Sequence, residues 1–361
     1  MPSTIDMYLF RRFGLLVLQM LVMTFILVMA IDFVEGARRF ASLPGYELAL
    51  AALMSFLRVI GTIQFVIPFI ILFATILFLL GISRRQELVI MQGAGLSTER
   101  LLLPLVCFSF FLGILNILVL NPIAVRSGFA ASDIEASFSS RESGRPASLD
   151  IPWFTQSTGS GHYVIGARQQ KERGLLLEDA VFILINADDV IETRIDAAAA
   201  RLVDGGWRLT NAVRMGPENK PERFAELVIP SNLNPRFVEA SVLSVDQWAF
   251  LDLPYAIDIA RQAGRSPAPL ETRFHSMLAA PVLLVAMTLI AAPLTLRFRR
   301  TGPAALVVFA GVCVGFITYV GTSIVQALGT AGLVAPAIAA WTPVIAALGF
   351  GIVWVLYQDI A

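Results

Sequence analysis

Six long apolar runs constrain this chain more than any other feature of its sequence. A helix needs about 20 apolar residues to cross a bilayer, and it satisfies its own backbone hydrogen bonds there. Runs of this length lie at 13–33, 59–81, 101–120, 276–296, 303–326 and 338–357. Hydrophobic residues make up 57% of the 361 residues, a share that a water-soluble domain could not bury. The sequence therefore predicts an α-helical membrane protein with six transmembrane helices.

The first apolar run follows Arg11 and Arg12, so the N-terminus has some features of a signal peptide. The run continues to Phe33 without a small-residue cleavage pattern. We therefore expect a retained helix.

Arginines predict the orientation of the six helices. They cluster before the first run, between the second and third, and between the fourth and fifth: Arg11, Arg12, Arg84, Arg85, Arg100, Arg297, Arg299 and Arg300. With six helices these places lie on one face, and positively charged loops stay in the cytoplasm. Both termini are predicted to be cytoplasmic, and the insert between the third and fourth helices is predicted to lie outside.

This insert is polar and contains short strand-like segments separated by turn residues. The predicted strands are 162–169, 180–187, 190–197, 207–214 and 224–230. Tight turns are predicted at 186–189 and 204–206, and successive strands with short turns favour an antiparallel sandwich or jelly roll. A short amphipathic helix is expected within 244–266.

The predicted organisation has three parts. Residues 1–120 hold helices 1–3 with a short cytoplasmic helix at about 84–95, residues 121–270 form the β-jelly-roll-like domain, and residues 271–361 hold helices 4–6.

Sites for nucleotide, metal or catalysis are not predicted. A phosphate-binding Walker loop needs Lys before Ser or Thr, whereas Lys171 and Lys220 precede Glu and Pro. The chain has two histidines and two distant cysteines, too few for a typical zinc or disulfide framework. Its net charge of zero gives no argument for nucleic acid. We expect a non-catalytic chain that binds no cofactor or metal.

The loop 84–100 carries a particular pattern for so short a connection. Leu88, Met91 and Gly95 share one helical stripe, and Gly93 and Gly95 are suited to end the helix. Ser97 is a candidate N-cap for the third span. The segment is either a simple interfacial linker or a docking element for a soluble partner. The Gly-Ala-Gly break and the isolated Glu87 favour docking.

The outer end of the first helix carries an unusual group of charges. Arg38 and Arg39 lie against the positive-inside trend, and their guanidinium groups suit phosphate, although snorkelling at the interface explains them equally well. Asp32 is costly if it faces lipid, so we expect it to face a partner or to pair with one of these arginines. In the fifth helix, Gly311 and Gly315 permit close helix packing.

Together, the layout and several segments resemble the LptF/LptG family of lipopolysaccharide export permeases. The resemblance rests on the topology, on Glu87–Gly95 as an ELVxMxxxG loop motif, and on Asn121-Pro122, which resembles the segments that close the third helix in the family and is expected to close it here after residue 120. It also rests on these further segments: Ile5-Asp6-Met7-Tyr8, Trp207-Arg208-Leu209, Pro281, Ala291-Ala292-Pro293, Leu333, Pro336, Trp341 and Pro343. Residues 31–39 are more similar to LptG than to LptF. One departure is Asp32, which stands where family members often have lysine.

The resemblance implies the permease half of an ABC transporter in the bacterial inner membrane. It would extract lipopolysaccharide from the outer leaflet and pass it to a periplasmic bridge. The implied partners are a cytoplasmic LptB-like ATPase dimer that uses ATP and Mg, a second LptF-like permease (LptG-like if this chain is LptF), and a single-span LptC-like protein.

The resemblance also implies site roles. The ATPase contact would comprise Arg84, Arg85, Glu87, Leu88 and Met91. Lipid phosphates would meet Arg38, Arg39 and Arg126. Helix packing at the lateral gate would involve Asp32, Gly311 and Gly315.

Two other functions are compatible with parts of the sequence. A membrane-anchored scaffold or sensor could use the β domain to bind a partner without transport. A lipoprotein-release permease usually has four helices and a large domain after the first, which six helices with the insert after the third disfavour.

Overall fold

The computed structural model describes residues 4–40, 48–142, 154–158, 161–171, 175–186, 191–203, 206–216, 221–230, 245–262, 266–298 and 304–360. Within these residues six helices are long and apolar enough to cross a membrane, as predicted. The helices are α1 (Thr4–Phe40), α2 (Leu48–Arg84), α3 (Glu87–Gly93), α4 (Thr98–Leu115), α5 (Asn121–Glu142), α6 (Leu253–Gln262), α7 (Ala268–Phe298), α8 (Ala304–Thr330) and α9 (Pro336–Ile360).

The helices α2 and α7 form the centre of the bundle. Each packs against the other and against several further helices, while α1 contacts mainly α2 and α4. In α7, 61% of the most apolar window is buried inside the protein, against 6% in α1 and 22% in α8. Because α1 and α8 leave so much apolar surface uncovered, their outer faces must meet lipid or another membrane protein.

The third span is longer than predicted. It runs from α4 through a π-helical turn, Asn116–Leu120, directly into α5. The prediction that Asn121-Pro122 closes this helix at residue 120 is therefore wrong. Proline lacks an amide hydrogen and its ring clashes with the carbonyl four residues earlier, and a wider π turn is one way for a helix to accommodate both. Helical structure thus extends to Glu142, into the segment predicted to be strand domain.

The insert contains six strands: β1 (Phe154–Thr158), β2 (Gly161–Lys171), β3 (Leu176–Asn186), β4 (Ile191–Val203), β5 (Gly206–Met215) and β6 (Pro221–Pro230). They form one antiparallel sheet in sequential order. The five predicted strands correspond to β2–β6, and β1 was missed. The Greek-key crossings of a jelly roll do not occur among these described strands, which form a meander. The predicted turn residues 187–189 and 204–205 lie outside the described residues.

A row of alanines crosses the sheet at one level. Ala167, Ala180, Ala197 and Ala212 are register partners from β2 to β5. Next to this row the backbone is irregular, because Asp179 and Asn211 have φ of 49° and 52°. Such irregularities bend strands. A cavity of about 520 Å³ opens at this bend and includes alanines of the row in its lining.

The segment after the sheet is tied to the third span. Two 3₁₀ turns, Val245–Gln247 and Phe250–Asp252, lead into α6, the short helix predicted within 244–266. The Asn121 side chain accepts a hydrogen bond from the Phe250 amide at 2.8 Å and donates to Gln64 Oε1 on α2 at 3.4 Å. Asn121 therefore joins two spans to the end of the strand domain instead of ending a helix.

Candidate functional site

The short helix α3 is held rigidly between two membrane spans. Gln86, with φ of 59°, makes the sharp turn out of α2. At the other end Gly95 has φ of 87°, and the Gly95 and Leu96 amides donate to the Gln92 and Met91 carbonyls. This is a Schellman termination, for which glycine is favoured because positive φ costs it little.

The predicted capping of the next span is confirmed. Ser97 Oγ accepts a hydrogen bond from the Arg100 amide at 3.3 Å. Glu99 lies in the first turn of α4, where a carboxylate favours the helix dipole. The turn from α2 into α3, the end of α3 and the start of α4 each therefore have an identifiable residue that determines them: Gln86, Gly95 and Ser97.

Glu87 is part of a network with α1. Arg12 Nη1 donates to Glu87 Oε2 at 2.6 Å and to the Tyr8 hydroxyl at 2.6 Å, and the Tyr8 hydroxyl lies 3.5 Å from Glu87 Oε2. The Arg12 guanidinium also lies 5.6 Å from the Tyr8 ring centroid. Sequence reasoning used Arg12 only as a topology marker. The spacing of Tyr8 and Arg12 by one helical turn was the available signal.

Other residues of α3 divide between an inner and an outer face. Leu88 is 1% exposed and Met91 packs against the same core of the bundle. The Leu88 side chain therefore anchors α3 in the bundle, and the contact of Leu88 and Met91 with an ATPase stays a prediction. Val89 and Ile90 are 49% and 70% exposed, and Arg84 and Arg85 are also exposed. We use the name outer face of α3 for Val89 and Ile90 together with Arg84 and Arg85, which lie at the end of α2 and in the turn just before α3.

The predicted phosphate-binding residues lie towards the other end of the bundle. Arg38 is exposed near the end of α1, and Arg126 is exposed on α5. The Arg39 side chain lies outside the described residues. Asp32 is partly buried, and its Oδ2 is enclosed without a hydrogen-bond partner among the described side chains. Between the described side chains of Asp32 and Arg38 there is no ion pair, so the expected pairing is not found for that arginine.

The glycine pair of α8 lies against α2. A Cβ added at Gly311 would lie 2.5 Å from Ile76 Cδ1, and one at Gly315 would lie 2.9 Å from Leu72 Cδ2. Glycine at these positions allows this approach without a shift of the Ile76 and Leu72 side chains. The pair therefore brings helices of this same chain together.

A cavity of about 540 Å³, which we call the polar cavity for the polar side chains in its otherwise mostly apolar wall, lies among α2, α7, α8 and the Val245–Gln247 turn. It is lined by apolar residues and by many polar ones: Gln64, Asn116, Asp246, Thr272, Arg273, Ser276, Thr318, Thr322, Ser323, Gln326 and Thr330. The Arg273 guanidinium pairs with the Asp246 carboxylate and donates to the Asp246 carbonyl at 3.4 Å. The α7 helix begins at Ala268, so it includes Thr272 and Arg273, which lie before the predicted start at 276.

Sequence reasoning missed this cavity. The signal was present in α8, where Thr318, Thr322, Gln326 and Thr330 recur every four residues in an apolar span. That spacing places them on one face of a helix. What the sequence did not supply was the group of residues from α2, α7 and the Val245–Gln247 turn that meets this face.

Comparison with known proteins identifies one family. The family model described as "Lipopolysaccharide export system permease LptF/LptG" matches residues 7–357, which include all six spans and the sheet. A search of curated proteins finds no match.

Proposed function

This chain belongs to the LptF/LptG family of lipopolysaccharide export system permeases, and on that premise we propose that it is the permease subunit of an ATP-driven exporter. In this proposal it extracts lipopolysaccharide from the outer leaflet of the inner membrane and passes it to a periplasmic bridge. The proposal that transport is driven by ATP rests on α3, a short helix between two spans whose outer face is exposed and carries apolar and basic side chains.

The outer face of α3 has the chemistry of a helix-in-groove contact. Val89 and Ile90 offer apolar side chains, and Arg84 and Arg85 offer cations beside them. The proposed partner is a cytoplasmic ATPase dimer of the LptB kind, which supplies ATP and Mg chemistry. Glu87 is proposed to orient α3 through Arg12 in addition to any contact of its own. The arginine distribution supports a cytoplasmic position for this end of the bundle and for both termini.

Changing Val89 to aspartate should weaken the ATPase contact. A buried, unpaired carboxylate in an apolar groove costs on the order of several kcal/mol, so we expect at least a tenfold loss of co-purified ATPase. The measurement is the ATPase-to-permease ratio after affinity purification in mild detergent. Val228→Asp is the matched control, because Val228 is similarly exposed, at 54%, but lies on β6 in the strand domain. Equal ATPase recovery from the two variants would contradict the docking role of the outer face.

The uncovered faces of α1 and α8 suggest where the lipid enters the protein. The outer faces of α1 and α8 leave large apolar side chains exposed, among them Met23 and Ile317. We propose that a second permease of the LptF kind covers part of these faces. Lipopolysaccharide would then enter between α1 of one subunit and α8 of the other, with an LptC-like helix as a further partner. Arg38 and Arg126, exposed at the strand-domain end, are proposed to meet its phosphates together with Arg39.

The strand domain is proposed to be periplasmic and to pass lipid onwards. Among the described strands β1 and β6 are the edges of the sheet. An open edge can receive a strand from a partner, which suits a continuous bridge. A jelly-roll-like closure would be completed with a partner. Residues 31–39 favour LptG over LptF as the family member.

Affinity purification of the full chain in mild detergent, with identification of bound proteins and lipid, tests the proposal. We expect an ABC ATPase, a second permease and lipopolysaccharide. Recovery of the chain with a periplasmic protein alone would instead support a scaffold or sensor and would overturn the export assignment.

A further inference from the structure

The polar cavity collects polar side-chain atoms that have no partner among the described residues. Gln64 Nε2, Thr272 Oγ1, Ser276 Oγ and Arg273 Nε are enclosed and unpartnered, as is one acceptor, Asn116 Oδ1, and all five residues line this cavity. Buried polar atoms are nearly always hydrogen-bonded, so such a concentration in one place calls for an explanation. Thr272 is only 2% exposed, which shows that the group is built into the fold.

The chemistry of these atoms favours an anion. An amide nitrogen and a guanidinium nitrogen can only donate, and a hydroxyl can donate or accept. The amide oxygen of Gln64 already accepts from Asn121 at 3.4 Å, so its free group is the donating one. One positive charge with several donors around it is the usual composition of a phosphate or carboxylate site.

Asp246, the carboxylate paired with Arg273, forms a weak ion pair that an entering anion can replace. The Arg273 side chain is 17% exposed, whereas its partner Asp246 is 77% exposed. An exposed carboxylate keeps most of its hydration and contributes little by pairing, so an anion that enters the cavity can replace it at small cost. Asp246 lies in the Val245–Gln247 turn, in the segment that connects the sheet to α6 and α7.

We propose that the polar cavity binds a phosphate-class anion, with Arg273 as its cationic ligand, and that the anion displaces Asp246. The inference rests on the proposed function in one respect, because the phosphorylated headgroup of a glycolipid is the form in which we expect this anion to arrive. Displacement frees the Val245–Gln247 turn from α7. Anion binding in the membrane domain is thereby linked to the connection with the strand domain.

The test uses the full chain in neutral phosphatidylcholine nanodiscs. In one arm inorganic phosphate is titrated calorimetrically against chloride at constant ionic strength. In the other arm the nanodiscs contain equal amounts of phosphorylated and dephosphorylated lipid A, and bound lipid is identified by native mass spectrometry. A preference for phosphorylated lipid identifies a headgroup as the source, and phosphate binding without lipid preference identifies a free anion. Because Arg38, Arg39 and Arg126 are also proposed to meet lipid phosphates, either result supports the anion site when Arg273→Gln weakens it, and no binding of either probe would overturn the site.

Four variants decide the roles of the two charges. Arg273→Gln should weaken binding at least about tenfold, and Arg273→Lys should give an intermediate loss because it keeps the charge without the planar fork. Asp246→Asn should tighten binding about threefold or more, since it removes the internal competitor. Arg208→Gln is the control, because Arg208 is an exposed arginine on β5 paired with Glu226. Wild-type binding by Arg273→Gln would overturn the site, and weaker or unchanged binding by Asp246→Asn would overturn displacement.

Further results distinguish failure of the anion site from misfolding of a variant and from failure of the proposed permease function. Should Arg273→Gln fail to insert, Arg273→Lys and Asp246→Asn still test the assignment, because both keep a positive charge at position 273. Normal lipopolysaccharide export by an Arg273→Gln protein that binds phosphate like wild type would reject the anion site while leaving the permease function intact. Loss of the ATPase and second permease from the wild-type purification would reject the function and not the site.

Discussion

Changing Gly113 to alanine is expected to destabilise the bundle more than any other single methyl addition on the third span. A Cβ at this position would lie 2.4 Å from Pro281 Cα and 2.8 Å from Pro281 Cβ. The first of these atoms is backbone, so it cannot move aside as the end of a flexible side chain can. α4 and α7 would have to separate where both are buried, and where Ser109 and Thr288 share a buried hydrogen bond of 2.7 Å.

The magnitudes favour a net loss. Overpacking a well-packed core costs about 1–3 kcal/mol, whereas alanine gains up to about 1 kcal/mol over glycine in helix propensity. We expect a net loss of up to about 2 kcal/mol, measured as a lower thermal midpoint in detergent and a lower yield of monodisperse protein.

Gly128→Ala is the matched control for this experiment. Gly128 lies on the same continuous helix, and an added Cβ there meets nothing within 4 Å. The same chemical change should therefore leave the midpoint unchanged or raise it slightly. Equal midpoints for the two variants would show that the close approach of α4 and Pro281 does not contribute to stability.

Changing Glu87 to lysine is expected to abolish ATPase co-purification while the chain stays inserted in the membrane. The substitution replaces the Arg12–Glu87 ion pair by two like charges at a partly buried site, with each side chain about a quarter exposed. Without this pair α3 loses its polar connection to α1, and the outer face is no longer held in its orientation. The measurement is the ATPase-to-permease ratio, with membrane fractionation to show insertion. Retained ATPase would contradict the role of Glu87.

A charge exchange separates orientation from direct contact. If Glu87 acts through Arg12, the double variant Arg12→Glu, Glu87→Arg should restore most of the ATPase, because the pair is rebuilt with opposite polarity. Failure of the double variant to restore it would indicate that the ATPase contacts the Glu87 carboxylate itself. Glu99→Lys is the control, because Glu99 is exposed in the adjacent first turn of α4. It should keep the ATPase.

The spans, the strands and the loop chemistry were predictable because each depends on residues near one another in sequence. Apolar length alone located all six membrane helices. Gly95 and Ser97 ended and began helices as predicted, since capping uses backbone atoms within one turn. The prediction ended the third span at residue 120, just before Asn121-Pro122, because local sequence preferences do not show that a π turn will accommodate a proline.

The strand topology shows a similar limit. Alternating residues and turns predicted an antiparallel sheet, and the sheet is antiparallel. The choice of a jelly roll went further than those patterns allow, because the same hairpins can build a meander or a Greek key. Which one forms depends on contacts between strands distant in sequence.

By itself, the sequence determined the six spans, the basic end of the bundle, the polar insert and the resemblance to a permease family. Tertiary structure decided which side chains meet. Arg12 and Glu87 are 75 residues apart and Asp246 and Arg273 are 27 apart, yet each pair is in contact. The free energy of transferring apolar surface from water is a sum over the residues of a segment, so the sequence of that segment predicts it. Ion pairs and cavities arise from the relative positions of packed helices, so they appear only when α1 lies against α3 and when α2, α7 and α8 enclose one space.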